Sequence, residues 1–127
     1  MKTSKKILGN LGEDIACRFL LERGQTVLER NWRSGHQEID IIAIDAVGVH
    51  FVEVKSRTAP YQSEPQEAID GKKARNMTRA ANSYIRRKYV PAAGELPEVF
   101  FDAVAVVFDG GEVKVEYFPQ IFIPLYV

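Results

Sequence analysis

Two neighbouring runs of β-branched and aromatic residues, 39–44 and 49–54, constrain the fold of this chain more than any other feature. Such runs favour β-strands, and only the four residues Asp45-Ala46-Val47-Gly48 separate them. A short connection rich in turn-forming residues indicates a β-hairpin. The sequence therefore predicts two antiparallel strands joined by a tight turn.

The register of this hairpin decides which charged side chains lie together. A turn centred midway between the two runs places Asp40 opposite Glu53 and Glu38 opposite Lys55, with about 5 Å between the Cβ atoms of each pair. A shift by one whole pair would keep the four side chains on one face, whereas a slip of one residue would scatter them and expose the apolar ones, so burial argues against the slip. We therefore predict that the four charged side chains share one face of the sheet.

The rest of the chain predicts an α/β domain. Apolar spacing indicates helices over residues 4–23 and 66–88, and β-rich runs indicate strands over 26–33, 99–108 and 112–118, with a loop over 91–97. The buried face of the second helix is expected to include Ala68, Ile69, Ala80, Ala81, Tyr84 and Ile85. The order α-β-β-β-α-β-β predicts a mixed β-sheet flanked by helices, and without repeats or long linkers residues 1–127 are expected to form a single domain.

Composition indicates the compartment in which such a domain works. The chain has one cysteine, Cys17, so an internal disulfide is excluded, which fits a reducing cytoplasm. No stretch approaches the roughly 18 apolar residues of a membrane span. The basic start over residues 2–6 has no apolar run behind it, unlike a secretory signal. We expect a cytoplasmic protein without a membrane segment.

The formal net charge is zero, from 17 basic and 17 acidic residues, but the charges are unevenly spread. Residues 60–90 carry seven Lys or Arg against three acids, whereas residues 91–127 carry one against six. A basic block of this kind is most often a solvated helix face, and it also suits a sugar-phosphate backbone. The neutral total therefore does not exclude nucleic acid as a partner.

The predicted pair of Asp40 and Glu53 indicates a cation site, because two carboxylates at cross-strand distance repel each other. Mg²⁺ prefers carboxylate oxygens and usually keeps positions for water and phosphate. Lys55, on the same face, could orient a bound water or neutralise charge on a scissile phosphate. These are the parts that phosphodiester hydrolysis requires. Taken alone, however, an alternating Glu-Val-Lys is more often a half-exposed strand face with an ion pair.

Asp40 together with Glu53-Val54-Lys55 resembles the PD-(D/E)xK motif of restriction-endonuclease-like nucleases. Nearly the whole chain further resembles the YraN-like family of small bacterial proteins, predicted endonucleases that are distantly similar to archaeal Holliday junction resolvases. The segments that carry this resemblance are Gly9-x-x-Gly12-Glu13-x-x-Ala16, Gly24, Arg30-Asn31-Trp32-Arg33, Glu38-Ile39-Asp40, Phe51-Val52-Glu53-Val54-Lys55-x-Arg57, Lys73-x-Arg75, Ala80-Ala81, Tyr84 and Phe101-Asp102-Ala103-Val104.

The resemblance implies a restriction-endonuclease-like fold and a role for each acidic residue of the motif. Asp40 and Glu53 are implied to be catalytic ligands of Mg²⁺ or Mn²⁺. Glu13 on the first helix and Glu38 before the motif aspartate are implied to complete the metal-binding cluster. Lys55 is implied to be the catalytic lysine.

Four basic residues are candidates for DNA contact: Arg57, two residues beyond Lys55, and Lys73, Arg75 and Arg79 on the predicted second helix. The leading hypothesis is a metal-dependent DNA endonuclease that hydrolyses phosphodiester bonds in branched or recombination-intermediate DNA, with a homodimer as a further expectation. The alternative is a non-catalytic DNA-binding or adaptor module of a recombination or repair assembly. The apolar residues 121–127 could provide an interface in such an assembly.

Overall fold

The computed structural model describes residues 2–60 and 71–121, with the side chains described from residue 6 onward. The helices are α1 (Lys2–Glu22), α2 (Gly71–Tyr84) and α3 (Val90–Ala93), with a π-helical turn (Ile85–Tyr89) between α2 and α3. The strands are β1 (Thr26–Ser34), β2 (Gln37–Ile44), β3 (Val49–Thr58), β4 (Val99–Asp109) and β5 (Glu112–Phe118). The predicted order is confirmed, and the short α3 is added to it. None of the helices in these described residues has the length and apolarity that crossing a bilayer requires.

The five strands form one mixed sheet in the order β1-β2-β3-β4-β5. Neighbouring strands are antiparallel except β3 and β4, which are parallel from the pair Val49–Val99 to the pair Thr58–Phe108. A parallel pair needs a crossover connection, and the chain that includes α2 and α3 supplies it. β3 is therefore the central strand, with an antiparallel partner on one edge and a parallel partner on the other.

The helices α1 and α2 cover opposite faces of the sheet, because buried strand residues alternate between two apolar clusters. The cluster under α2 contains Ile39, Ile42, Val49, Phe51, Met77, Ala80, Ala81, Tyr84, Ile85 and Phe101. The cluster under α1 contains Ala16, Cys17, Leu20, Ile41, Ala43, Val52, Val104 and Val106. The predicted buried face of the second helix is confirmed at positions 80, 81, 84 and 85, while positions 68 and 69 lie outside the described residues.

The second helix differs from its predicted bounds. The predicted start at Gln66 lies outside the described residues. Helical structure continues past Lys88 into α3, so the predicted loop from Pro91 is wrong over the first part of its range. Proline is tolerated in the first turn of a helix, where its missing N–H is not needed. Gly94 then ends the helix in the left-handed conformation, with φ of 84°.

The β2–β3 hairpin has the predicted register, from the pair Ile44–Val49 to the pair Ile41–Val52. Beyond the last pair, β2 continues beside β1 and β3 continues beside β4. The predicted pairings of Asp40 with Glu53 and of Glu38 with Lys55 are not part of the ladder, and Glu38 instead lies opposite Arg33 on β1. The two strands of the motif therefore separate at Asp40 and Glu53, directly beyond the last pair of the ladder.

The side-chain alternation of β2 breaks at Asp40. Ile39 packs under α2 and Ile41 packs under α1, although residues two apart in a regular strand share a face. The facing position on β1 is Asn31, whose φ of 52° is left-handed, a conformation that asparagine tolerates. Simple alternation, on which the prediction relied, does not hold around Asp40, and its side chain is directed toward β3 instead.

Candidate functional site

A cavity of about 150 Å³ lies where β2 and β3 separate. Its lining residues are Glu38, Ile39, Asp40, Val52, Glu53, Lys73 and Met77. Three predicted metal ligands and one predicted DNA-contacting residue thus face the same small space. The separation of the strands is what creates this space, because a continued ladder would close it.

Asp40 bridges the gap between the two strands with its side chain. Its Oδ2 accepts a hydrogen bond from the N–H of Val54 on β3, at 2.8 Å. Burial raises the pKa of Asp40 to about 6, against the lowering effect of this hydrogen bond. The negative charges of Glu13, Glu53 and Glu38 add to the increase. The negative charges of three glutamates from three elements therefore act on Asp40, and a bound cation would offset this repulsion.

Glu53 is almost completely buried, with 6% of its side chain exposed, and two lysines contact the same one of its oxygens. Lys55 Nζ lies 2.9 Å and Lys73 Nζ lies 3.0 Å from Glu53 Oε1. The other oxygen, Oε2, is buried and has no hydrogen-bond partner within the part of the chain that the structure describes. A buried oxygen without a partner is destabilising, so Oε2 is an acceptor that a ligand in the cavity could use.

The two remaining predicted acids lie at the edges of the site, each beside an arginine of β1. Arg30 Nη2 lies 3.6 Å from Glu13 Oε1, and Arg33 Nη2 lies 3.3 Å from Glu38 Oε2. Both glutamates are close enough to act on Asp40 through their charge. Their arginine partners balance part of this charge, as the two lysines do for Glu53.

In residues 2–60 and 71–121, no three His, Cys, Asp or Glu side chains are close enough together to ligate one metal ion. The donors that suit a hard cation are the oxygens of Asp40 and Glu53, which both line the cavity. This fits an ion that takes two protein carboxylates and completes its shell with water or phosphate. The roles of Glu13 and Glu38 as further ligands stay predictions.

The predicted DNA-contacting residues lie in three different environments. Arg75 and Arg79 are exposed, one turn apart on α2. Lys73, on the same helix, instead contacts Glu53 in the acidic site. Arg57 lies further along β3, where it lines a separate cavity of about 440 Å³ and donates to the carbonyl of the preceding residue. The three predicted DNA-contacting residues of α2 therefore do not form one uniform strip.

A second polar cluster, which the sequence did not reveal, is buried on the α1 side of β3 and β4. His50 Nδ1 lies 2.6 Å from Asp102 Oδ2, and His50 Nε2 lies 2.9 Å from Asp45 Oδ2. The hydroxyl of Tyr117 also donates to Asp102 Oδ2, and the N–H of Gln120 donates to Asp102 Oδ1. The cluster joins the hairpin turn, the central strands and the end of β5.

These contacts displace the pKa values of the cluster. Burial would lower the pKa of His50, but its contacts with Asp102 and Asp45 outweigh burial and raise the pKa above 6.5. Burial would raise the pKa of Asp45, but hydrogen bonds from His50 and from the turn N–H groups lower it below 3.8. Burial and the contact with Asp102 raise the pKa of Tyr117. The cluster thus favours a protonated imidazole between two carboxylates.

Comparison with known proteins assigns this chain to a protein family. Residues 12–106 match the model of the uncharacterised protein family UPF0102. A UPF0102 protein of Bacteroides thetaiotaomicron is 34% identical over 117 residues, which cover 92% of this chain and 93% of the relative. A UPF0102 protein of Anaeromyxobacter dehalogenans is 37% identical over 118 residues, covering 93% and 85% respectively. The chain therefore belongs to the UPF0102 family, the YraN-like family that its motifs resemble.

Proposed function

We propose that this protein is a metal-dependent endonuclease with a restriction-endonuclease-like core, acting on DNA. The observation that carries the proposal is the cavity shared by Asp40 and Glu53, in which a buried Glu53 oxygen lacks a described partner and Lys55 contacts the same carboxylate. A purely structural ion pair does not explain an unpartnered oxygen beside a second carboxylate of raised pKa. The helix, acid-bearing hairpin and opposed second helix support the fold that the PD-(D/E)xK resemblance implies.

Mg²⁺ or Mn²⁺ would be held by Asp40 and Glu53. The oxygen donors suit a hard cation better than zinc, which prefers nitrogen and sulfur ligands. Bound there, the ion would polarise a phosphoryl oxygen and lower the pKa of a coordinated water. Glu13 and Glu38 add negative potential at the edges of the site, which favours a cation.

Lys55 is the residue that we propose acts on the reacting groups. The Lys55 side chain extends from the central strand and is 17% exposed. Its ammonium lies 2.9 Å from Glu53 Oε1. From there it can orient a water toward the phosphorus and stabilise the negative charge that develops on the phosphate. The water oxygen bonds to phosphorus and gives up a proton, the bond to the leaving oxygen breaks, and the leaving oxygen takes up a proton. The reaction leaves one phosphate end and one hydroxyl end.

DNA would approach along α2. Arg75 and Arg79 are exposed on this helix, which also carries Lys73 into the acidic site. Contacts of this kind with backbone phosphates supply affinity without reading the base sequence. Together with the resemblance to junction resolvases, this supports branched or recombination-intermediate DNA as the substrate class.

The test compares four-way junction, flap, single-stranded and linear duplex DNA in Mg²⁺, Mn²⁺ or EDTA. We expect metal-dependent cleavage that Glu53→Gln abolishes, whereas Glu116→Gln, an exposed glutamate of β5, cleaves like the wild type. Cleavage that survives Glu53→Gln would refute the site. Salt-sensitive DNA binding without cleavage of any substrate would favour the non-catalytic binding or adaptor module instead.

A further inference from the structure

The acidic site holds two lysines on one carboxylate oxygen, although the proposed chemistry needs only Lys55. Both ammonium groups lie within 3.0 Å of Glu53 Oε1, so each reduces the stabilisation that the other gains there. Their surroundings differ, because 17% of the Lys55 side chain is exposed and 43% of the Lys73 side chain is exposed. Lys73 is therefore the more accessible of the two lysines to a ligand arriving from solvent.

Lys73 lies where its positive charge would repel a bound cation. It lines the same cavity as Asp40 and Glu53, and its contact is with one of the two carboxylates that would hold the ion. A positive charge at this position lowers the affinity of those carboxylates for another cation. Movement of the Lys73 ammonium away from Glu53 would raise that affinity.

The surface beside Lys73 indicates what could draw it away. Arg75 and Arg79 are exposed further along the same helix, and a DNA backbone bound to them would bring phosphates close to Lys73. An ammonium that exchanges a carboxylate for a phosphate keeps a charged hydrogen-bond partner. The exchange therefore does not leave the charge of Lys73 buried without a partner.

Building on the nuclease function proposed above, we propose that Lys73 is a DNA-responsive counter-ion of Glu53. Without DNA, Lys73 pairs with Glu53 and weakens binding of the divalent cation. A backbone phosphate takes Lys73 over, and the two carboxylates then bind the cation more tightly. Lys73 is thus a positioning residue that couples the two ligands, and the coupling is reciprocal. The protein therefore binds its metal more tightly on DNA than it does alone.

Mn²⁺ binding to the metal-free full-length chain tests this proposal by calorimetry or electron paramagnetic resonance. Lys73→Met should bind Mn²⁺ at least about 5-fold more tightly than the wild type. Lys72→Met, which removes an exposed charge from the neighbouring position of the same helix, should bind Mn²⁺ like the wild type. Lys73→Gln serves as a second variant, and thermal unfolding checks that each variant is folded.

The DNA arm uses Lys55→Met, in which cleavage is not expected. A short duplex should tighten Mn²⁺ binding to this variant, and the effect should disappear in Lys55→Met/Lys73→Met. An effect of DNA that persists without Lys73 would overturn the coupling.

The outcomes separate this inference from the nuclease function. Equal or weaker Mn²⁺ binding by both Lys73 variants overturns the role of Lys73, and cleavage by the wild type would still support the nuclease. Tighter binding by the variants of a protein that cleaves no DNA supports the counter-ion and overturns the nuclease. Mn²⁺ binding by none of the proteins overturns both.

Discussion

His50 on β3 is bonded to Asp102 on β4, with 2.6 Å between Nδ1 of the imidazole and Oδ2 of the carboxylate. Asp102 is completely buried, and Tyr117 and the N–H of Gln120 donate to the same carboxylate. A buried charge is tolerated when its partners are in place and strongly destabilising when one is removed. The pair therefore joins the two parallel strands through side chains as well as through the backbone ladder.

Removal of this carboxylate should be among the most destabilising changes in the sheet. We expect Asp102→Ala to lower the free energy of unfolding by about 3–5 kcal/mol, because it removes the buried carboxylate that pairs with His50 and leaves a cavity in its place. Tyr117→Phe removes a single donor and should cost about 1–2 kcal/mol. Urea unfolding near neutral pH measures both. A smaller loss for Asp102→Ala than for Tyr117→Phe would contradict this account.

The metal-free protein should lose stability as the pH rises from acidic to neutral. The folded pKa of His50 lies above its unfolded value of 6.5, so its stabilising contribution is complete below pH 6.5 and disappears as the pH rises through the folded pKa. Asp40 acts in the same direction at lower pH, because its folded pKa of about 6 exceeds the unfolded value of 3.8. Asp45 acts oppositely, and its contribution is lost only as the pH falls below 3.8.

Thermal unfolding in EDTA across the range from pH 4 to pH 9 measures this dependence. NMR titration of the imidazole assigns the upper part of the curve to His50. In Asp40→Asn the lower part, between the unfolded pKa of 3.8 and about 6, should flatten. A melting temperature that rises steadily toward alkaline pH would show that neither group acts as described.

Asp40→Asn should stabilise the metal-free protein while abolishing cleavage. Asparagine keeps an acceptor for the Val54 N–H and removes a negative charge that burial and three neighbouring glutamates disfavour. A pKa displaced by about 2 corresponds to roughly 3 kcal/mol, so we expect a gain of about 1–3 kcal/mol near neutral pH. Asp109→Asn, at an exposed position of β4, should leave stability nearly unchanged. Destabilisation by Asp40→Asn would mean that burial and the neighbouring glutamates do not disfavour the Asp40 charge in the folded chain.

The exposed arginines of α2 should supply affinity for DNA without base preference. The double variant Arg75→Gln/Arg79→Gln is expected to weaken binding to all sequences and to reduce the slope of log affinity against log salt by about 2. Arg18→Gln, an exposed arginine of α1 on the opposite side of the sheet, is the matched control. Fluorescence anisotropy at several salt concentrations measures both, and equal slopes for the double variant and the control would exclude α2 as the DNA-binding face.

Gly12 allows α1 to approach β3 closely. A Cβ at this position would lie 1.9 Å from Ser56 Oγ and 3.1 Å from Ser56 Cβ, whereas a Cβ on Gly9 would meet no described atom within 4 Å. We expect Gly12→Ala to destabilise by about 1–3 kcal/mol through crowding. Gly9→Ala should stabilise by about 0.5–1 kcal/mol, because alanine favours the helix. Chemical denaturation compares the two, and Ser56→Ala should recover part of the loss if the close approach is its cause.

The register of the motif hairpin could be predicted from the sequence because burial and register are linked in a strand. A slip of one residue would move Ile41 and Val52 to the wrong faces, so burial excludes it, and a turn centred midway between the two runs then gives the observed pairs. That register brings Asp40 and Glu53 to the same end of the hairpin, where the strands separate and the cavity lies. The presence of Lys55 beside them follows from the two-residue repeat of β3.

Other parts of the site depend on contacts between elements that are distant in the sequence, and the residues of one element alone do not determine such contacts. The left-handed Asn31, which redirects the strand opposite Asp40, is one of several conformations open to asparagine. The contact of Lys73 with Glu53 depends on how α2 docks, which its own sequence does not determine. The pairing of His50 with Asp102 needs the parallel alignment of β3 and β4. A charged residue in the apolar run of β4 was the available signal that a buried partner exists.

The partners of β3 lie at very different distances along the chain. The hairpin joins Val49 to Ile44 across a four-residue turn, whereas the parallel pair joins Val49 to Val99 on the far side of the crossover. Short loops close sooner than long ones, so during folding the hairpin is expected to form before β4 is added. Asp40 and Glu53 would then meet before α2 delivers Lys73. In this order the two carboxylates that repel each other come together first, and Lys73, whose charge compensates part of that repulsion, arrives later.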